Sequence, residues 1–250
     1  MRRWFALGAV FVVSLLVCLV VLMPAAVVVE RVPVPRPGGA PLTLSDARGP
    51  WWDARVDARW RDRRGELRWR LDWHGLTPGV QLSMVSGDLD ASGWLGADWG
   101  DWRLEQWRAT VPVAPFSANV PQGNADGTVD LTLMALELAD QTVVDAKGTL
   151  TYSGGTVTWG RDGAAQVPPL DGRLAMVNGA PELEVTGPRR QQLVHARLEN
   201  EKLNVQVRRA WPQLLGVSQG GDPSDVVFRM SRPLTLGGRV KCRRIISRSH

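Results

Sequence analysis

The residue types that most often perform catalysis are sparse in this sequence. The run Gly216-Val217-Ser218-Gln219-Gly220 matches Gly-x-Ser-x-Gly, the sharp turn that presents a nucleophilic serine in α/β-hydrolases. That turn follows a strand and opens a helix, and an acid and then a histidine come later in the chain. Here a short helical pattern precedes the motif, Asp222-Pro223 discourages a new helix, and the only later histidine is the last residue, His250. The sequence therefore predicts a loop around Ser218 rather than an active site.

The other polar residues do not form a catalytic or metal-binding constellation. His74 and His195 fall on the polar sides of alternating patterns, beside Asp72 and Arg197, which is typical of surface histidines. The carboxylates are scattered singly, and no glycine-rich phosphate-binding loop precedes a helix. Three histidines and two cysteines without a cluster argue against zinc. We predict no catalytic residue, no metal and no cofactor, and therefore a protein that is not an enzyme.

The charge pattern argues against nucleic acid as a partner. The formal net charge is only +5, and basic residues are interleaved with acidic ones through most of the chain. The exception is the tail, residues 237–250, which carries basic residues and no acid: Arg239, Lys241, Arg243, Arg244 and Arg248. Such a tail either contacts anionic headgroups or an acidic partner, or is simply solvated.

The amino-terminal end organises the rest of the chain. Trp4–Val29 is a run of twenty-six residues without a charge. Its first part, Trp4–Met23, would rise about 30 Å as an α-helix, which matches the hydrocarbon core of a bilayer. We predict a single transmembrane helix within an anchor that comprises residues 1–29, and we expect Pro24 to end or kink this helix near the far interface.

Two alternatives fit this segment less well. A cleaved signal peptide has an apolar core of about 7–15 residues and an Ala-x-Ala-like site, whereas this run is longer and Pro24-Ala25-Ala26 is a poor site. A buried core helix would show a polar face, which this segment lacks. Arg2 and Arg3 favour a cytoplasmic amino terminus, which would place nearly all of the chain on the other side of the membrane.

Beyond the anchor, alternating prolines in residues 30–41 predict an extended stalk. From Leu42 onward the hydrophobic period is two. For example, Leu67, Trp69, Leu71 and Trp73 alternate with Arg68, Arg70, Asp72 and His74. This alternation is typical of strands with one apolar and one polar face. We predict a mainly β domain of short antiparallel strands at residues 42–236.

Turn signals indicate how these strands connect. Asn178-Gly179 and Asn200-Glu201 predict hairpins, and Asp62–Gly65 and Ser153-Gly154-Gly155 are further candidates. One short helix is predicted at Trp211–Leu215, with Pro212 in its first turn and Gly216 placed to end it. Residues 112–127 form a Pro- and Gly-rich seam. We expect one continuous sheet across the seam, because neither half has a helix to cover its apolar face.

Tryptophan is unusually concentrated in the first half. Nine of the twelve tryptophans lie between Trp51 and Trp107. Core packing is the preferred interpretation, and Trp69 and Trp73 fit it by alternation. Trp94, Trp99 and Trp102, in a Gly- and Asp-rich stretch, are the candidates for a surface that contacts lipid, the membrane interface or a protein.

These features together resemble protein N of the bacterial type II secretion system. The similarity begins with the short amino terminus, the single span and Met23-Pro24-Ala25. It continues at Gly49-Pro50-Trp51-Trp52, where the family tends to have Gly-Thr-Leu-Trp. Leu71-Asp72-Trp73, Gly148–Tyr152 and Ala210–Gly216 resemble its later strands and its short helix. The family-like positions are therefore Gly49, Trp52, Trp73, Gly148, Pro212 and Gly216.

The resemblance implies a curved, AsmA-like β-sheet domain in the periplasm, held by one inner-membrane helix. It implies an accessory role in export of folded proteins across the outer membrane, with other secretion-system components as partners and no enzymatic activity. A second hypothesis comes from the AsmA-like architecture: a membrane-anchored module that binds or transports lipid. That hypothesis requires the apolar faces of the strands to line an open groove.

Overall fold

The chain folds mainly into antiparallel β-structure. The structure, a computed structural model, describes residues 11, 14–31, 42–60, 63–98, 100–114, 123–140, 142–159 and 163–234. Among these residues, a large sheet of thirteen strands and a small sheet of three strands account for most of the fold. The predicted antiparallel, curved β class is confirmed.

The elements have the following bounds. The large sheet contains β1 (Leu42–Arg48), β2 (Asp53–Trp60), β3 (Arg63–His74), β4 (Thr77–Ser86), β5 (Leu89–Asp98), β6 (Asp101–Pro112), β8 (Thr128–Ala139), β9 (Thr142–Tyr152), β12 (Leu170–Val177), β13 (Ala180–Thr186), β14 (Gln192–Glu199), β15 (Lys202–Arg208) and β16 (Val226–Pro233). The small sheet contains β7 (Gly123–Ala125), β10 (Gly155–Trp159) and β11 (Gly163–Val167). The helices are α1 (Ala25–Val29) and α2 (Ala210–Leu214), and residues 14–21 are also helical.

The large sheet follows the order of the chain. Each strand pairs with the next strand of that sheet, from β1 at one edge to β16 at the other. Across the predicted seam, β6 and β8 pair from Trp102 opposite Leu138 to Pro112 opposite Thr128. The large sheet therefore continues across the seam at residues 112–127.

One face of this sheet is apolar from end to end. Residues that lie directly opposite each other on paired strands share a face. One such row carries no polar side chain. It passes through every strand of the large sheet from β2 to β16: Val56, Leu67, Met84, Ala91, Ala109, Leu131, Leu150, Gly172, Val185, Val194, Val207 and Phe228. We call the side that carries this row the apolar face.

The opposite face is polar over the same distance. The adjacent row begins in β1 and contains only polar or charged residues: Arg48, Arg55, Arg68, Ser83, Ser92, Arg108, Thr132, Thr149, Arg173, Glu184, His195, Gln206 and Arg229. Because side chains alternate between faces along a strand, the period-two pattern of the sequence becomes an amphipathic sheet. We call this side the polar face.

Two of the predicted hairpins and the predicted helix are confirmed. Asn178-Gly179 joins β12 to β13 with both residues at positive φ, and Asn200-Glu201 does the same for β14 and β15. Asn and Gly tolerate this left-handed backbone better than other residues do. The short helix α2 begins one residue earlier than predicted and contains Pro212, and Gly216 follows it at φ +69.

The other two hairpin predictions need correction. Ser153-Gly154-Gly155 does not join a hairpin, because β9 already pairs with β8 and β12 on its two sides. The chain after β9 therefore enters the small sheet, where β10 pairs with β7 and β11. The β2–β3 hairpin does exist, but Trp60 pairs with Arg63, so the predicted turn Asp62–Gly65 was too long.

Strand β5 was not predicted from the sequence, where it lies in a Gly- and Asp-rich stretch. Gly93 and Gly96 lie inside this strand, and each is covered by an indole ring. A Cβ atom at Gly93 would lie 2.3 Å from the Trp107 ring, and one at Gly96 would lie 2.2 Å from the Trp94 ring. Glycine in a strand can mark such a close approach rather than a break.

Several predictions concern segments outside the described residues. Arg2, Arg3, most of the proline-rich stalk and the basic tail belong to these segments. Within the described part of the chain, no helix is both long enough and apolar enough to cross a membrane. The predicted span Trp4–Met23 therefore stays a prediction. Pro24 precedes α1 as its amino-terminal cap.

The close approach of Trp107 predicts that a single methyl group at Gly93 is costly. We expect Gly93→Ala to lower the free energy of unfolding by about 1–3 kcal/mol, as overpacking usually does. Gly172→Ala is the matched control in another strand, because its Cβ would come no nearer than 3.3 Å to Leu150. Urea unfolding of the full chain in detergent measures both. Equal losses for the two variants would contradict the packing described for β5.

Candidate interaction surface

The apolar face is covered at its two ends. Near β1, the helix α1 packs against the sheet, and Ala25 and Val56 are buried. In the later half, α2 and the small sheet contribute to a core around Val167, Leu193 and Ala210. Trp211 and Leu214 of α2 pack against this core. These contacts bury part of the apolar face.

Between these ends, the apolar face remains accessible to solvent. Leu131, in the middle of the long row, keeps 37% of its surface exposed. Leu71, which pairs with Val80, is also exposed. A second apolar row runs parallel to the first through Val80, Leu95, Leu104 and Leu136. Contiguous exposed apolar surface of this kind usually marks a binding site.

The apolar amino-terminal segment joins the sheet at the turn between β1 and β2. The Trp51 Nε1–H group donates to the Val20 carbonyl at 2.7 Å, and the Trp52 Nε1–H group donates to the Val21 carbonyl at 3.1 Å. The backbone adds two bonds of 3.0 Å, from Trp51 N to Met23 O and from Ala25 N to Gly49 O. The last carbonyls of a helix lack the usual partners within it, and the two indoles donate to carbonyls at this helix end.

Exposed aromatic side chains collect at the same rim of the sheet. Trp52 lies in the β1–β2 turn, Trp73 precedes the β3–β4 turn, and Trp102 follows the β5–β6 turn. Leu76 lies within the β3–β4 turn and is exposed. We call the edge formed by these four residues the tryptophan rim.

Two of the tryptophan predictions were wrong. Trp94 does not belong to an exposed surface, because it is only 1% exposed. Its ring lies over Gly79 and Gly96 and stacks on His74, with ring centroids 4.1 Å apart. Trp73 was expected in the core, but it lies so close to the end of its strand that its side chain is exposed. The alternation of residues along a strand predicts which face of the sheet a side chain occupies, but not how close that side chain lies to the end of the strand.

The remaining tryptophan predictions concern Trp102, Trp99 and Trp69. Trp102 is exposed, as the surface interpretation required, whereas Trp99 lies outside the described residues. Trp69 is half-buried and donates its Nε1–H to the Trp51 carbonyl at 2.7 Å. Sequence reasoning missed Leu76 and the role of Trp51. An apolar residue inside a Gly-containing turn was the available signal for Leu76.

The family-like positions occupy two structural junctions and two strands, with Trp73 in β3 and Gly148 in β9. Gly49 and Trp52 belong to the junction with the amino-terminal segment. Gly49 has φ +102, and a Cβ there would lie 2.5 Å from the Asp53 carbonyl, so only glycine fits. The Pro212 carbonyl in α2 accepts bonds from Val217 N and Ser218 N.

Two further family-like positions have simple packing roles. Gly148 lies in β9, where a Cβ would approach the Thr132 carbonyl to 2.9 Å, so the strands β8 and β9 sit close together there. Gly216 ends α2. Ser218 lies in an irregular segment after this helix, which is not the strand-to-helix setting of a hydrolase nucleophile.

Both described histidines lie within hydrogen-bond distance of a glutamate on the polar face. His74 Nδ1 lies 2.9 Å from Glu105, and His195 Nε2 lies 3.1 Å from Glu182. The hydrogen bond from His195, together with one from Arg197, holds the pKa of Glu182 below its usual value of 4.5. Glu105 lies on β6, which β4 and β5 separate from β3, whereas Glu182 lies on β13 directly beside β14. The two contacts are therefore far apart in the sheet and do not converge on one site. Among the described residues, no group of His, Cys, Asp and Glu could hold a metal ion.

The architecture defines a class of protein: an open antiparallel sheet that offers one apolar face and one tryptophan-bearing rim for contact. Comparison with protein families then gives the particular assignment. The family model of protein N of the type II secretion system (T2SS) matches residues 40–240, so the chain belongs to this family. No curated protein and no solved structure matches the chain.

Proposed function

We propose that the protein is an accessory inner-membrane component of the type II secretion machinery. It acts by protein–protein interaction in the export of folded proteins across the outer membrane. Family membership over residues 40–240 supports its involvement in type II secretion. The observation that carries the interaction role is the exposed middle of the apolar face, centred on Leu131.

The physical case for a protein partner is the cost of leaving this face in water. Single exposed apolar residues are ordinary, but a row that crosses the whole sheet is not. Each buried apolar square ångström contributes roughly 25 cal/mol, so a partner that covers even part of this row gains substantial binding energy. Other components of the secretion system are the proposed partners.

The proposed location follows from the amino-terminal sequence. The run Trp4–Met23 serves as the membrane anchor, with Arg2 and Arg3 on the cytoplasmic side. The chain from Glu30 onward then lies in the periplasm. The hydrogen bonds from Trp51 and Trp52 to the carbonyls of Val20 and Val21 support a sheet that begins directly at the end of this anchor.

The interaction role predicts that charge on the apolar face blocks secretion. In a strain that lacks the gene, the wild-type chain restores export of exoproteins, whereas Leu131→Glu fails because a carboxylate cannot be buried against an apolar partner. Thr132→Glu is the matched control, since its side chain lies on the polar face opposite Arg108. Exoprotein in the culture medium is measured at equal levels of each variant. Full export without the gene, or full export by Leu131→Glu, would refute this role.

The proposed topology predicts the behaviour of reporter fusions. A reporter that is active only in the periplasm, joined after Pro233, should be active. Replacing Arg2 and Arg3 by Glu in the same fusion should reduce that activity, because these cations set the orientation. A reporter that is active only in the cytoplasm serves as the reverse test. Activity of this second reporter at Pro233 would overturn the proposed orientation.

A second candidate function is lipid binding on the same apolar face. The specific observation in its favour is that apolar side chains of this face such as Leu71 and Leu131 are accessible to solvent. The AsmA-like architecture implied by the family resemblance agrees with this candidate. Acyl chains would replace the protein partner as the apolar group that covers the face.

A photoreactive acyl chain distinguishes this candidate from the first. When the full chain is reconstituted with phospholipid that carries a photoreactive tail, lipid binding predicts adducts on peptides of β6 and β8, in addition to adducts within residues 4–29. Peptide mass spectrometry locates the adducts. Adducts confined to residues 4–29 would exclude acyl chains from the apolar face.

A further inference from the structure

The exposed tryptophans of this chain are not spread over its surface. Among the tryptophans whose side chains the structure describes, the exposed ones are Trp52 at 38%, Trp73 at 64% and Trp102 at 51%. All three belong to the tryptophan rim. Leu76, at the same rim, is 96% exposed and has the most exposed large apolar side chain described.

The strand order explains why these residues share an edge. In an antiparallel sheet whose strands follow the chain, alternate turns emerge at the same rim. The turns β1–β2, β3–β4 and β5–β6 therefore lie together, and the β4–β5 turn with Gly87 and Asp88 lies at the opposite rim. Three tryptophans that are separated in sequence are thereby aligned along one edge.

The apolar amino-terminal segment reaches the sheet at this same rim. Its end is held there by the four hydrogen bonds between residues 20–25 and residues 49–52. A segment that is fastened by both backbone and indole groups cannot swing freely relative to the rim. Whatever surrounds the end of the apolar segment therefore also lies next to the tryptophan rim.

We propose that the tryptophan rim inserts into the boundary between headgroups and acyl chains of a phospholipid bilayer. This inference rests on the membrane anchoring in the proposed function. Tryptophan favours this boundary because its ring is largely apolar while its N–H group can remain hydrated. The sheet then stands upright on the membrane, with its strands pointing away from the bilayer and its apolar face turned sideways toward partners.

The charges near the rim indicate which feature of the bilayer is recognised. Asp72, Asp98 and Asp101 lie beside the exposed tryptophans, with Arg103 among them. Anionic lipids attract basic side chains, and the carboxylates at the rim offset this attraction. Insertion of the rim is thus driven by tryptophan and leucine side chains and depends little on the content of anionic lipid.

Fluorescent labels on single cysteines test this arrangement in the full chain. The chain is reconstituted in phosphatidylcholine vesicles that carry a nitroxide quencher near the headgroup. Leu76→Cys reports the tryptophan rim and Asp88→Cys reports the opposite rim, both in a background of Cys18→Ser and Cys242→Ser. We expect strong quenching at position 76 and little at position 88, with no change when phosphatidylglycerol is added. Equal quenching at the two positions, or a requirement for phosphatidylglycerol, would overturn the proposal.

Native Cys18, labelled alone in the Cys242→Ser chain, separates this proposal from the proposed function. If the Cys18 label lies in acyl chains while position 76 is unquenched, the rim proposal fails and the anchor stands. If the Cys18 label is also outside the lipid, the proposed membrane anchor is wrong as well.

The double variant Trp73→Ser and Trp102→Ser should weaken quenching at position 76 without lowering stability, because both side chains are exposed. Unchanged quenching would show that these tryptophans do not hold the rim in the bilayer.

Discussion

The whole structure depends on one constraint, the register of a long antiparallel sheet. A slip of one residue between any two strands would exchange the apolar and polar faces beyond that point. The row from Val56 to Phe228 and the row from Arg48 to Arg229 show that the register is kept across all strands of the large sheet. Bulges adjust the strands locally. One of them inserts an extra residue in β6 between Glu105 and Arg108, opposite the β5 stretch from Ser92 to Trp94.

Keeping the register has a functional consequence, because it creates surface that the chain itself covers only at the ends. The helices α1 and α2 and the small sheet bury the two ends, and the centre of the apolar face stays exposed. A domain that served only as a stable scaffold would bury this row in a second layer. In the proposed arrangement, the tryptophan rim and the hydrogen-bonded junction with the amino-terminal segment orient this face relative to the membrane.

The sequence predicted the features that depend on local chemistry. Alternation at Leu67–His74 predicted the two faces, Asn178-Gly179 predicted a hairpin, and Pro212 with Gly216 predicted the short helix. Features that depend on tertiary contacts were missed. Strand β5 was not predicted, because the sequence does not show that indole rings of Trp94 and Trp107 cover Gly96 and Gly93. Ser153-Gly154-Gly155 suggested a hairpin, because the sequence does not show that both sides of β9 are already paired. The exposure of Trp73 depends on its distance from the rim, which periodicity does not measure.

Photocrosslinking in secreting cells tests the central claim, that the apolar face is the working surface of this protein, most directly. A photoreactive phenylalanine analogue at position 131 projects from the apolar face, and the same analogue at position 130 projects from the polar face of the same strand. Our account predicts adducts between position 131 and a protein of the secretion machinery, and few or none from position 130. Equal adducts from both positions, or no protein adduct from position 131 during active secretion, would contradict it.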